Sequence, residues 1–198
     1  INLAAGNGSN RLLVAKAGSA VDVFPVDGTS YTPNNNITLA PNLGSSNFVV
    51  GSGTGSVTVS GLSLATVYHF RVFEFNGTGT LTNYNTNASG GSTGSQTTLS
   101  AEPTAQPTAI NFSAVTNTSF TVGYTAAAGS PTGYIAIRKA GSAPAQPADL
   151  PVDGTTYAVN DIIGGSTVAY VGPSLSFAQS TLTPATQYFY LILSYNGA

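Results

Sequence analysis

The chain has 198 residues, a formal net charge of −2 and only 6 % charged residues, with no Cys, Met or Trp. Its five cations, Arg11, Lys16, Arg71, Arg138 and Lys139, are scattered and form no basic patch, which argues against nucleic acid and against an anionic membrane surface. Absence of Cys removes disulfides and thiolate zinc sites, and no apolar run approaches the ~20 residues of a membrane-spanning helix.

Taken in chain order, the predicted elements are strands. Residues 11–20, RLLVAKAGSA, open the series, and PVDGTSY at 25–31 carries an Asp-Gly pair that tolerates positive φ and marks a tight turn. LSLATVYHFRVFEFNG at 62–77 and the stretch 78–99 supply further strands. TTLSAEPTAQPTAI at 97–110 is the natural boundary, because Pro103 and Pro107 disfavour ladder pairing and stiffen the crossing. SFTVGYT at 119–125 follows, then YIAIRKAGSA at 134–143, PVDGTTY at 151–157, TVAYVG at 167–172 and LTPATQYFYLILSYNG at 182–197. These segments are short, rich in β-branched and aromatic residues, and separated by Gly, Pro, Asn and Ser clusters. No stretch shows a 3.6-residue period, and AAAG at 126–129 is too short for a helix.

The second half of that series repeats the first. KAGSA, PVDGT and the aromatic segment ending in Asn-Gly recur in the same order, so the chain holds two copies of one module. The division is 1–99 for the first module, 100–108 for a Pro-containing linker and 109–198 for the second. The fold class is all-β.

The segment L-x-P-x-T-x-Y, followed by alternating apolar residues and Asn-Gly, resembles the E–F corner and strand F of a fibronectin type III domain. Copy two provides Leu182, Pro184, Thr186, Tyr188, Asn196 and Gly197; copy one provides Leu62, Thr66, Tyr68, Asn76 and Gly77, with Leu64 and Ala65 where the family keeps Pro and Gly. The resemblance, to divergent bacterial versions of these repeats in secreted and cell-surface proteins, implies two tandem immunoglobulin-like antiparallel sandwiches. It makes Tyr68 and Tyr188 the tyrosine corners, with hydroxyls bonded back to the upstream backbone. It also places Tyr124 in the core of copy two, where the family has Trp, and an aliphatic position near Leu3 in copy one.

Chemistry-bearing patterns are few. A Ser-His-Asp triad needs a His held beside a Ser, and the sole His, His69, sits one residue after a corner tyrosine, where alternation turns it away from the sandwich core. Asp27 and Asp153 are turn residues rather than a catalytic pair, no D-x-D-x-D-G calcium loop is present, and no cofactor is expected. Tyr31 and Tyr157, just past the repeated turn, are candidate platforms for stacking a sugar ring. Arg11 and Glu74 fall opposite one another if strands C and F pair, which predicts a cross-strand ion pair; Tyr134 and Ser194 occupy the same positions in copy two.

Copy two has a lead-in, from about Glu102 to Tyr124, that predicts strands A and B, and copy one starts almost at strand B. Copy one continues through 78–99, which predicts strand G, whereas copy two stops at Ala198. The expected function is a non-enzymatic structural or adhesive segment of an extracellular bacterial surface protein or filament. Its expected partners are copies of itself or flanking modules end to end, and surface glycans. The alternatives are a spacer or accessory region of a secreted enzyme and a carbohydrate-binding module.

Overall fold

A computed structural model describes residues 1–4, 6–87 and 92–197 of the chain. The polypeptide divides into two compact units, Ile1–Leu99 and Ser100–Ala198. In the first unit the strands are β1 (Asn2–Leu3), β2 (Asn10–Ala17), β3 (Phe48–Ser52), β4 (Gly55–Ser56), β5 (Val67–Asn76), β6 (Asn83–Tyr84) and β7 (Thr93–Thr97). The second unit holds β8 (Thr108–Ser113), β9 (Phe120–Thr125), β10 (Gly133–Ala140), β11 (Ile162–Ile163), β12 (Ser166–Gly172), β13 (Ser176–Gln179) and β14 (Tyr188–Tyr195). Every named strand pair is antiparallel.

Each unit is built around one long pair. β2 runs against β5 from Asn10↔Phe75 to Ala17↔Tyr68, and β10 runs against β14 from Gly133↔Tyr195 to Ala140↔Tyr188. β3 extends the first pair on one side and β12, with β11 beyond it, extends the second. The same β-bulge recurs in both. Leu13 faces Gly51 while Val14 faces Val49, and Ala136 faces Tyr170 while Ile137 faces Val168, so Val50 and Ala169 are the additional residues.

Opposite these sheets lie the smaller ones that complete the two tandem β-sandwiches. In the second unit β9 sits between β8 and β13. Its Val122 and Tyr124, with Phe177 of β13, pack on Tyr134, Ala136 and Ile192 of the larger sheet. In the first unit the two-stranded sheet of β1 and β4 takes this place, and Leu3 packs against Leu13, Ala15, Val50 and Tyr68. Strands A and B of copy two therefore form β8 and β9 as the lead-in predicts. The predicted strand G of copy one corresponds to β7, which with β6 lines the far side of β5; residues 88–91 of that stretch lie outside the described residues. Among the described residues no strand pairs with β14 on the side away from β10. Residues 101–106, within the expected linker, lie against the end of β14 instead: Ser194 donates from N to Gln106 Oε1 and from Oγ to the Ala105 carbonyl, and Asn196 Nδ2 donates to the Ala101 carbonyl.

The larger sheets are covered on both faces. Alternation along β2 sends Leu13 and Ala15 to the sandwich core and Leu12 and Val14 to a second cluster with Val21, Val49, Phe73 and Tyr84. β10 likewise sends Ile135 and Ile137 outward, where they cluster with Ile163 and Val168 of the same sheet and the half-buried Tyr157 packs over them. The covering layer comes largely from the long excursion between β2 and β3, residues 18–47, in one unit and between β10 and β12, residues 141–165, in the other. Here β2 and β10 stand as strand C, β3 and β12 as strand C′. A continuous apolar run such as RLLVA is what two-sided burial requires. Phe73, 1 % exposed, lies wholly in the outer cluster. Phe73→Ala is expected to cost about 4 kcal/mol, as much as a sandwich-core truncation. Chemical denaturation measures this, and a cost under ~1 kcal/mol would show that the outer layer contributes no packing.

Candidate functional site

The repeated phrases close into the same small structures in both units. At the E–F corner the Tyr68 hydroxyl accepts from the Ser63 N–H at 2.9 Å, and the Tyr188 hydroxyl accepts from the Thr183 N–H at 3.0 Å. The repeated PVDGT turn uses the identical device. Tyr31 accepts from the Val26 N–H at 3.2 Å and Tyr157 from the Val152 N–H at 3.0 Å. In all four the hydroxyl reaches back five residues. The Val26–Thr29 and Val152–Thr155 turns are closed by Thr29 N–H to Val26 O and Thr155 N–H to Val152 O. Their glycines, Gly28 at φ 73° and Gly154 at φ 75°, stand at the third turn position, where a type II turn needs positive φ.

Tyr31 and Tyr157 thus spend their hydroxyls on backbone amides and their rings on the outer clusters, with Tyr31 6.0 Å from the buried Tyr84 ring. They are struts of the covering layer. In the first unit the turn also docks sideways: Asp27 Oδ1 accepts from the Tyr84 N–H at 2.7 Å and the Tyr84 hydroxyl donates to the Thr29 carbonyl. Burial raises the Tyr84 phenol above its usual range.

The remaining repeated residues are also structural. Asn76 Oδ1 accepts from the Ser9 N–H and Asn196 Oδ1 from the Thr132 N–H, so the Asn of each Asn-Gly pins the entry to strand C. The lysines of KAGSA each pair with an acid of their own excursion, Lys16 with Asp22 at 2.6 Å and Lys139 with Asp149 at 2.9 Å. Sequence reasoning missed both pairs. The signal was there, since each Lys recurs and each excursion supplies carboxylates in a chain nearly devoid of charge. Tyr124 lies in the core, its ring 5.1 Å from Tyr134 and its hydroxyl donating to the Ser174 carbonyl.

Arg11 and Glu74 face one another across β2 and β5, with Nε 2.8 Å from Oε1, and Arg11 is 3 % exposed. Glu74 also accepts from the Gly6 and Gly8 amides, so the carboxylate gathers the incoming chain as well as the guanidinium. In copy two Tyr134 faces Ser194; the Tyr134 hydroxyl accepts from the Ala127 N–H while Ser194 holds Ala105. His69 lies on the outer face of β5, as alternation predicts, opposite Lys16 and Ser95. Among the described residues no cluster of His, Cys, Asp or Glu is grouped to hold a metal, and no helix is long and apolar enough to cross a membrane.

No protein-family model matches the sequence, and no curated protein matches it. Among solved structures the chain is similar to the FN1-FN3 domains of chicken CNTN1, at 13 % identity and a TM-score of 0.45, over 96 % of this chain and 50 % of that one. It is similar to a run of domains from titin at 12 % identity and a TM-score of 0.37, over 94 % of this chain and 49 % of that one. A two-domain fibronectin type III segment of chicken tenascin is similar at 16 % identity and a TM-score of 0.33, over 97 % of this chain and 79 % of that one. The chain spans about half the length of the first two. The fold itself is read from the strand order, an immunoglobulin-like sandwich in each unit.

Two outcomes follow from this geometry. Ala65 and Ala185, where the fibronectin pattern has Gly, take left-handed φ values of 48° and 52°. Ala65→Gly is expected to stabilise the first unit by up to ~1 kcal/mol, whereas Tyr68→Phe, which loses the corner hydrogen bond, costs about 1 kcal/mol. Opposite signs in equilibrium unfolding are the check. The second outcome concerns Asp149, 1 % exposed and bonded by Lys139 Nζ, the Ala145 and Gly165 amides and Ser166 Oγ. Lys139 first, then these amides, hold its carboxyl well below the ordinary 3.8. A depressed folded-state pKa contributes stability fully present above the unfolded value and lost as pH falls through the folded one. The second unit should therefore lose stability as pH drops below 3.8. Asp149→Asn should be less stable at neutral pH and flatter through that acid range, as thermal melts at a series of pH values would register. Parallel wild-type and variant curves would contradict the assignment.

Proposed function

We propose that the chain is a non-enzymatic structural or adhesive segment of an extracellular bacterial surface protein or filament, joined end to end to like modules. One observation carries this reading: what the two copies share is scaffold. The recurring residues are corner and turn tyrosines, turn glycines, the Asn that pins strand C, and a lysine paired with an acid. The charged and polar groups that differ, such as Arg11 with Glu74 or Arg138 with Gln179, occur in one copy only. Duplication has thus preserved the means of holding a module together, as a segment that spans distance requires. The low charge fits an exposed position in variable salt, since exposed ion pairs contribute little to such a module.

Pulling single molecules from their two ends tests the reading. Two separate unfolding events are expected, each releasing roughly 300 Å of chain, and each unit should hold force independently. A single cooperative event, or turnover of a glycan or peptide substrate by the purified chain, would refute it.

A further inference from the structure

The outer face of β5 carries a group that the module plan does not use. Arg71 is 7 % exposed, and its guanidinium carbon stands 4.4 Å from the Phe24 ring centroid and 5.0 Å from that of Phe73. Nη2 donates to the Asn87 carbonyl at 3.0 Å, while Nε is buried with no acceptor. Among the described residues no carboxylate pairs with it; Asp22, the acid of the adjoining excursion, is already held by Lys16 Nζ and Asn47 Nδ2. A buried cation without a counter-charge is costly unless an anion comes close to it.

Beside it lies a cleft of about 260 Å³, whose walls include Val21, His69, Arg71, Thr93 and Ser95. The register of β5 and β7 sets His69 opposite Ser95 and Arg71 opposite Thr93, so these four side chains share one face. Two hydroxyls, an imidazole and a guanidinium form a donor-rich set, and the apolar wall at Val21 limits screening. The sheet of copy two is built without this His and Arg. At the corresponding positions of copy two stand Phe189 and Leu191, which the second sheet carries at the same register from β10.

We propose that this cleft binds one small oxyanion, a carboxylate, sulfate or phosphate group, with Arg71 as its charge partner and Thr93, Ser95 and His69 as further donors. Arg71 is the one Arg or Lys in the cleft wall, and the scattered cations elsewhere exclude a polyanion track. A guanidinium packed against two rings is pre-organised for that role and cannot lose its proton.

The test is titration of the whole chain with acetate, sulfate and phosphate, against chloride at matched ionic strength, followed by the Nε–H signals of its three arginines. The expected result is a saturable shift at Arg71, with the Thr93 and Ser95 amides moving alongside and Arg138 still. Ser95→Ala, on an exposed edge strand, should weaken binding roughly tenfold, and Arg71→Leu, the residue of copy two, should abolish it. If Arg71→Leu does not fold, His69→Phe joins Ser95→Ala as the probe. Saturation by acetate alone identifies a carboxylate ligand, and saturation by sulfate or phosphate a tetrahedral one. No saturable shift with any of the three, equal shifts at every arginine, or unchanged affinity in Ser95→Ala would overturn the proposal.

Discussion

A β-sheet with apolar side chains on both faces has to be covered twice, and each unit is organised by that requirement. The β2–β5 pair and the β10–β14 pair place large side chains alternately up and down, so neither face can meet water. One face is closed by the smaller sheet of the sandwich. The other is closed by a long excursion between strands C and C′, most of which is held down without a ladder of its own. The turn tyrosines, the lysine–acid pairs and buried groups such as Asn47 and Asp149 all belong to that fastening.

Scarcity of charge shapes how the fastening works. The chain has twelve charged residues besides its one His, by the count of five basic and seven acidic. Several are out of solvent: Arg11, Arg71 and Asp149 are among the most buried polar side chains. Charges are used here for direction inside the fold, where several donors converge on one carboxylate, as at Glu74 and Asp149. Tyr190 shows the same interior character, its phenol pushed up to about 12 by burial against the core.

How much of this could be read beforehand depends on the range of the interaction. The corner tyrosines were legible because a short phrase contains both donor and acceptor. The Arg11–Glu74 contact was legible because pairing C with F fixes which residues meet. The second core was not, because alternation separates two faces without showing that both are buried. RLLVA and YIAI, uninterrupted by polar residues, carried the contrary signal. Tyr31 and Tyr157 were read as candidate platforms because nothing local shows what their rings rest on; Phe73, Tyr84 and the isoleucines of β10 come from elsewhere in the chain. The bulges at Val50 and Ala169 were hidden for a related reason, since an additional residue in one strand is defined only against its partner.

The tyrosine clasps also bear on how the chain finds its fold. Each joins residues only five positions apart, at small cost in chain entropy, whereas Arg11 and Glu74 meet across 63 positions. Strand pairing over such a separation is where a one-residue slip would exchange the two cores wholesale. Tyr68 and Tyr188 stand at the beginning of β5 and β14, with the corner already bonded behind them. A strand that leaves its corner in a fixed phase offers its distant partner one set of faces, and the long search for the C–F pairing begins with its parity decided.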